Sequence, residues 1–90
     1  MLVLKLSKDV LKFLQGIERK HAGQLALKIL SLLNNPHAPD VKQLRGAMSD
    51  YLRADMGEYR LIFRIVEDEL QVILVGKRND DEVYQEIRRK

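Results

Sequence analysis

Arginine and lysine are the side chains of this sequence best placed to do chemistry. From Tyr59 to Ile65, Tyr59, Leu61, Phe63 and Ile65 alternate with Arg60, Ile62 and Arg64. Strand side chains two apart share a face, so Arg60 and Arg64 are expected on the side away from the core. In the next stretch Leu70, Val72 and Leu74 are assigned to the core, which puts Lys77 on the opposite parity with Ile73 and Val75. With Arg53 outward on the preceding strand, one side of a sheet gathers Arg53, Arg60, Arg64 and Lys77. Arg78, just past Gly76, leans over its edge. Guanidinium groups grip phosphate oxygens through paired N–H donors, so such a surface has phosphate-binding chemistry. The same pattern also describes a solvated sheet face, because long arginine stems cover sheet carbon, and patterning alone favours that description.

Other chemistries find less support. His21 and His37 are isolated in the sequence and read as surface histidines rather than metal ligands. Asp80-Asp81-Glu82 reads as a helix start, where the helix dipole favours negative charge, rather than a metal cluster. No Ser-His-Asp set, glycine-rich phosphate loop or paired acid–base carboxylates can be assembled. No metal or other cofactor is expected.

The elements that must position the arginines follow from periodicity. Leu2-Val3-Leu4 with Leu6 reads as a short strand, and Ser7 as the cap of a helix carrying Val10, Leu14 and Ile17, with Leu11 and Phe13 widening the stripe. A second helix carries Ala22, Leu25, Ile29, Leu32 and Leu33, with the break between the two near Lys20-His21. Asn34-Asn35-Pro36-His37-Ala38-Pro39 ends the helical part. The period then changes to two. Strands are expected at Tyr51 to Met56, Tyr59 to Val66 and Leu70 to Gly76, with turns at Gly57-Glu58 and Glu67-Asp68-Glu69 and a last helix after Asp80. The result is a small α+β domain. Its N-terminal strand joins a three-stranded antiparallel meander in one sheet, a helical hairpin covers one face, and a C-terminal helix follows.

Length and composition set the limits. Ninety residues make a single domain, 1–90, that buries about 60–65% of its unfolded surface. A hydrophobic share of 46% beside 32% charged residues is too apolar for disorder. There is no cysteine, so neither a disulfide nor a thiolate site supplements the core. No apolar run reaches the roughly 18 residues of a membrane span, and the start Met1-Leu2-Val3-Leu4-Lys5 is too soon charged for a secretory signal. A cytoplasmic setting is the default, with no membrane partner. Residues 1–50 carry 8 basic and 4 acidic side chains and residues 51–90 carry 8 and 9, which gives +4 and −1 and the net +3. A balance so mildly basic is weak support for nucleic acid by itself.

Several segments in order nevertheless resemble the RelE/ParE superfamily of toxins from toxin–antitoxin pairs. They are Asn34-Asn35-Pro36 after the second helix, Leu44-Arg45-Gly46, Tyr51, Gly57-Glu58-Tyr59-Arg60-Leu61-Ile62-Phe63, Val75-Gly76-Lys77-Arg78 and Val83-Tyr84. The resemblance runs over the whole chain and is nearest to the RelE branch, whose members cleave mRNA in the ribosomal A site and are silenced by a cognate antitoxin. It implies that Arg60 sits at the phosphate-binding arginine, Arg78 at a second catalytic arginine, and Tyr84 at a tyrosine used in proton transfer or base stacking. Arg53 falls where members place the first of two basic residues. The second of that pair is replaced here by Asp55 or Ala54, which leaves the general base open. Lys77, Arg64 and Arg45 complete the expected substrate-binding set.

The implied activity is that of a ribosome-dependent, metal-independent mRNA endonuclease, in which the RNA 2′-hydroxyl attacks the scissile phosphate. Its implied partners are an antitoxin protein, the ribosome and mRNA, with DNA touched only through the antitoxin complex. Two alternatives share the resemblance: a ParE-like inhibitor of DNA gyrase, and a degenerate homologue that only binds an antitoxin.

Overall fold

The computed structural model describes residues 1–78. The chain runs β1 (Val3–Leu6), α1 (Lys8–Gly16), α2 (Arg19–Asn34), β2 (Lys42–Gln43), a 3-10 turn (Gly46–Met48), β3 (Leu52–Met56), β4 (Tyr59–Val66) and β5 (Glu69–Lys77). The expected last helix and Tyr84 lie outside the described residues. One five-stranded sheet forms, in the order β1-β5-β4-β3-β2. β1 runs parallel to β5, and the other neighbours are antiparallel. The fifth strand, β2, was not expected. It is only two polar residues long, Lys42 and Gln43, too short for a period to show.

Ser7 caps α1 as its position suggested, its Oγ accepting from the Val10 N–H at 3.2 Å. The helix break comes earlier than Lys20-His21. α1 ends at Gly16, Ile17 is extended, and α2 begins at Arg19. Glycine is a poor helix interior residue, and a β-branched isoleucine accepts the extended backbone easily. In consequence His21 lies inside α2 rather than at a break, half-buried, with its Nδ1 3.0 Å from the Tyr59 hydroxyl. It is a packed histidine, not an isolated surface one.

The helices cover one face of the sheet. Val10 of α1 and Leu25, Ile29, Leu32 and Leu33 of α2 bury with Tyr59, Leu61, Phe63, Leu70, Val72 and Val75, and Phe13, Leu14 and Ile17 pack at their margin. The buried positions of α2 recur at helical spacing, which is why this stripe was legible. The opposite face is not simply wet. Residues 44–51 fold back over it, and Leu44, Ile62 and Leu74 form a second buried cluster with Met48, Tyr51 and Ile73 at its edge.

That second cluster exists because β5 is bulged. Ile62 pairs with Leu74 but Phe63 pairs with Val72, so Ile73 is one residue too many. A bulge of this kind resets the alternation beyond it. Leu74 therefore leaves the helix side for the opposite cluster, and Val75 joins the helix-side core. Both assignments reverse the expected parity. Lys77 is moved too: it pairs with Tyr59, a helix-side residue, and so does not join Arg60. Arg78, one residue on, takes the parity that Lys77 was expected to have. Ser7 fixes the bulge. Its N–H donates to the Val72 carbonyl at 3.1 Å and its hydroxyl to the Ile73 carbonyl at 2.8 Å.

Candidate functional site

The site is built on the hairpin of β3 and β4. Met56 pairs with Tyr59 across the two-residue turn Gly57-Glu58, and the next pair outward is Asp55 with Arg60. Gly57 has φ +60, a conformation the first turn position of such a hairpin requires and glycine adopts without strain. Asp55 and Arg60 lie on the face away from the helices, opposite in parity to Phe63, as the alternation predicted. Arg53, two residues before Asp55, shares that face. Arg78 is brought in from the end of β5, where its N–H donates to the Glu58 carbonyl at 2.9 Å and anchors it to the same turn.

Asp55 joins these groups. Arg60 donates from Nε to Asp55 Oδ1 at 2.7 Å and from Nη2 to Oδ2 at 3.1 Å, a bidentate ion pair. Arg78 Nη1 lies 3.6 Å from the same Oδ2. The Arg60 side chain is only 14% exposed, against 48% for Arg78 and 33% for Asp55, so the ion pair is partly shielded from solvent on the Arg60 side. The hydrogen bonds from Arg60 hold the Asp55 carboxyl below its ordinary range. Burial opposes them less strongly, and the charges of Arg60, Arg78 and Arg53, each a smaller effect than burial, act in the same direction as the hydrogen bonds. The carboxylate is thus ionised with three cations around it.

The other expected residues do not converge here. Arg64 is four residues along β4 from Arg60, about 13 Å away at strand spacing, with buried Ile62 between them. Its Nε donates to Gln71 Oε1 at 2.8 Å and its guanidinium lies over the Tyr51 ring at 5.6 Å, so it braces the second apolar cluster. Arg45 precedes the 3-10 turn, past the end of the β2–β3 pairing and on the side of that pairing away from Asp55. Lys77 is on the helix-side parity. Tyr84 lies outside the described residues. Among the described residues, no group of three or more histidines or acids is placed to hold a metal ion, and no helix is long and apolar enough to cross a membrane.

Asp55 is the member whose importance sequence reading understated. In the sequence it stands as a departure from a basic position that leaves the general base open. The signal that exposes it is the hairpin itself: with a two-residue turn at 57–58, positions 55 and 60 must face each other.

Residues 4–82 match the family described as the ParE toxin of type II toxin–antitoxin systems, parDE. No curated protein matches the sequence significantly. Among solved structures, a double mutant of the E. coli toxin RelE in the free state is 28% identical, with TM-score 0.80 over 98% of this chain and 96% of that one. RelE in the intact E. coli RelBE toxin–antitoxin complex is 26% identical, with TM-score 0.73 over 86% and 96%. A chain of the archaeal RelE–RelB complex from Pyrococcus horikoshii is also 26% identical, with TM-score 0.68 over 86% and 94%. Sequence match and fold agree: the chain belongs to the ParE toxin family and is a RelE/ParE superfamily toxin of a type II toxin–antitoxin system, RelE-like in structure.

Proposed function

We propose that this toxin is a ribosome-dependent mRNA endonuclease. The observation that supports the reading is the meeting of Arg60, Arg78 and Arg53 at one end of the sheet face opposite α1 and α2, on a RelE-like fold. RNA carries its own nucleophile. The 2′-oxygen attacks the adjacent phosphorus as its proton leaves, the P–O5′ bond breaks, and the 5′-oxygen takes up a proton. The passing phosphorane carries an extra negative charge. Arg60 and Arg78 would stabilise that charge, and one such donor is commonly worth about 10²–10³ in rate. The proton work falls to Tyr84. An ordinary tyrosine, with a pKa of about 10, is a poor base at neutral pH, and only positively charged neighbours would favour a phenolate. Weak acid–base equipment suits an enzyme whose substrate is held in place by the ribosome, because fixed geometry itself lowers the barrier.

The partner that silences it is an antitoxin, as in the RelBE and RelE–RelB complexes. An extended or helical antitoxin segment that folds on binding would place acidic or apolar side chains near Arg53, Arg60 and Arg78. One observation favours a second reading. The matching family is described by its ParE members, so poisoning of DNA gyrase is the alternative. Primer extension on mRNA translated with purified ribosomes, run beside a gyrase cleavage assay, separates the two. The proposal expects ribosome-dependent cuts and no gyrase-linked breaks. Breaks in DNA without cuts in mRNA would overturn it.

A further inference from the structure

We infer that Asp55 is an internal stand-in for the RNA phosphate, which substrate must displace from Arg60 and Arg78. The inference rests on the nuclease reading for the identity of the ligand. Its geometry is that of an anion already in a clamp. Two carboxylate oxygens engage one guanidinium edge at 2.7 and 3.1 Å, and the second oxygen also approaches the other guanidinium, at 3.6 Å. A phosphodiester offers the same pair of oxygens to the same donors. The carboxylate and a phosphodiester cannot both use the Nε–Nη2 edge of Arg60.

The pairing is also held by the backbone. Asp55 and Arg60 are cross-strand partners next to a tight turn, so the internal anion is always at hand and need not be recruited. Arg53, on the same face and parity as Asp55, can follow whichever anion occupies the clamp. Asp55 thereby sets a threshold. A lone phosphate must compete with an intramolecular group, whereas RNA held by several contacts on the ribosome can supply what is needed to displace it. If the open clamp is populated at about 10%, affinity for a phosphate ligand is weakened about tenfold relative to a chain without the carboxylate charge.

The test is binding of a 2′-O-methyl RNA hexanucleotide, which has phosphates but no nucleophile, by the purified wild-type chain and by Asp55→Asn and Asp55→Ser. Tighter binding by both variants, about tenfold, is expected. In the wild-type chain, addition of the hexanucleotide should also shift the Arg60 Nε–H resonance as the carboxylate leaves. Equal or weaker binding by the variants, no detectable binding by any of the three, or an unmoved Arg60 resonance would overturn the inference. If the variants do not fold, the wild-type resonance decides alone. Cleavage is scored separately with ribosomes. Tighter binding without mRNA cuts would leave the clamp standing and sink the nuclease reading, and cuts with weaker binding would do the reverse.

Discussion

The Asp55 carboxyl is held below its ordinary value of 3.8 because its charged form accepts hydrogen bonds from Arg60, with the charges of Arg60, Arg78 and Arg53 adding to this. A depressed carboxylate pKa means that the ion pair contributes stability at every pH above that ordinary value. The contribution is lost as pH falls through the lower folded value. Asp40, held down by Lys28, behaves alike, so the wild-type profile contains both. Comparison with Asp55→Asn isolates one. At neutral pH the variant should be less stable by no more than about 1 kcal/mol, since the pair is partly exposed. The gap between the two unfolding curves should stay constant above about pH 5 and close below about pH 4. A gap that widens in acid would contradict the assigned direction. Arg64 makes the complementary point at this scale. An outward arginine in a strand can be a strut, and its partners Gln71 and Tyr51 decide that, not its parity.

At the scale of elements, β4 was legible and β5 was legible only in part. The alternation of Tyr59, Leu61, Phe63 and Ile65 with Arg60 and Arg64 survives in the structure because β4 is regular. In β5 every residue from Val72 to Val75 is apolar, so no polar position marks where the phase changes at Ile73. The bulge depends instead on Ser7, which is 66 residues away from Ile73 in sequence. Local pattern cannot see such a contact. Ser7→Ala removes both the helix cap and the hydroxyl that bonds the bulge carbonyl, and should lower stability by about 1–2 kcal/mol. In a domain of this size that is a fall in Tm of about 4–8 °C per kcal/mol, and an unchanged Tm would deny Ser7 its double role. The turn between β4 and β5 stores strain of a different kind. Glu67 has φ +56, a left-handed conformation that disfavours any side chain with a Cβ by about 1–2 kcal/mol. Glu67→Gly relieves that strain against a smaller loss of about 0.5–1 kcal/mol from the freer unfolded chain. A rise of about 0.5 kcal/mol in urea unfolding is expected, and a fall would mean that the side chain holds the turn.

Over the whole molecule, the sheet separates stability from the candidate chemistry. Its helix side holds the larger core, with Phe63, Leu61 and Val72 fully buried, and its other side carries the arginine clamp at one end of a smaller apolar cluster. Removal of a clamp arginine should therefore leave the fold standing and sharply reduce cleavage, which makes the central claim testable without confusion from unfolding. The direct measurement is primer extension on translated mRNA with ribosomes present, for the wild-type chain, Arg60→Ala, Arg78→Ala and the double variant, each checked for retained thermal unfolding. The account predicts ribosome-dependent cuts by the wild type and a loss of about 10²-fold or more in each single variant. Cuts that persist unchanged in the folded double variant, or no cuts from the wild type at all, would contradict it.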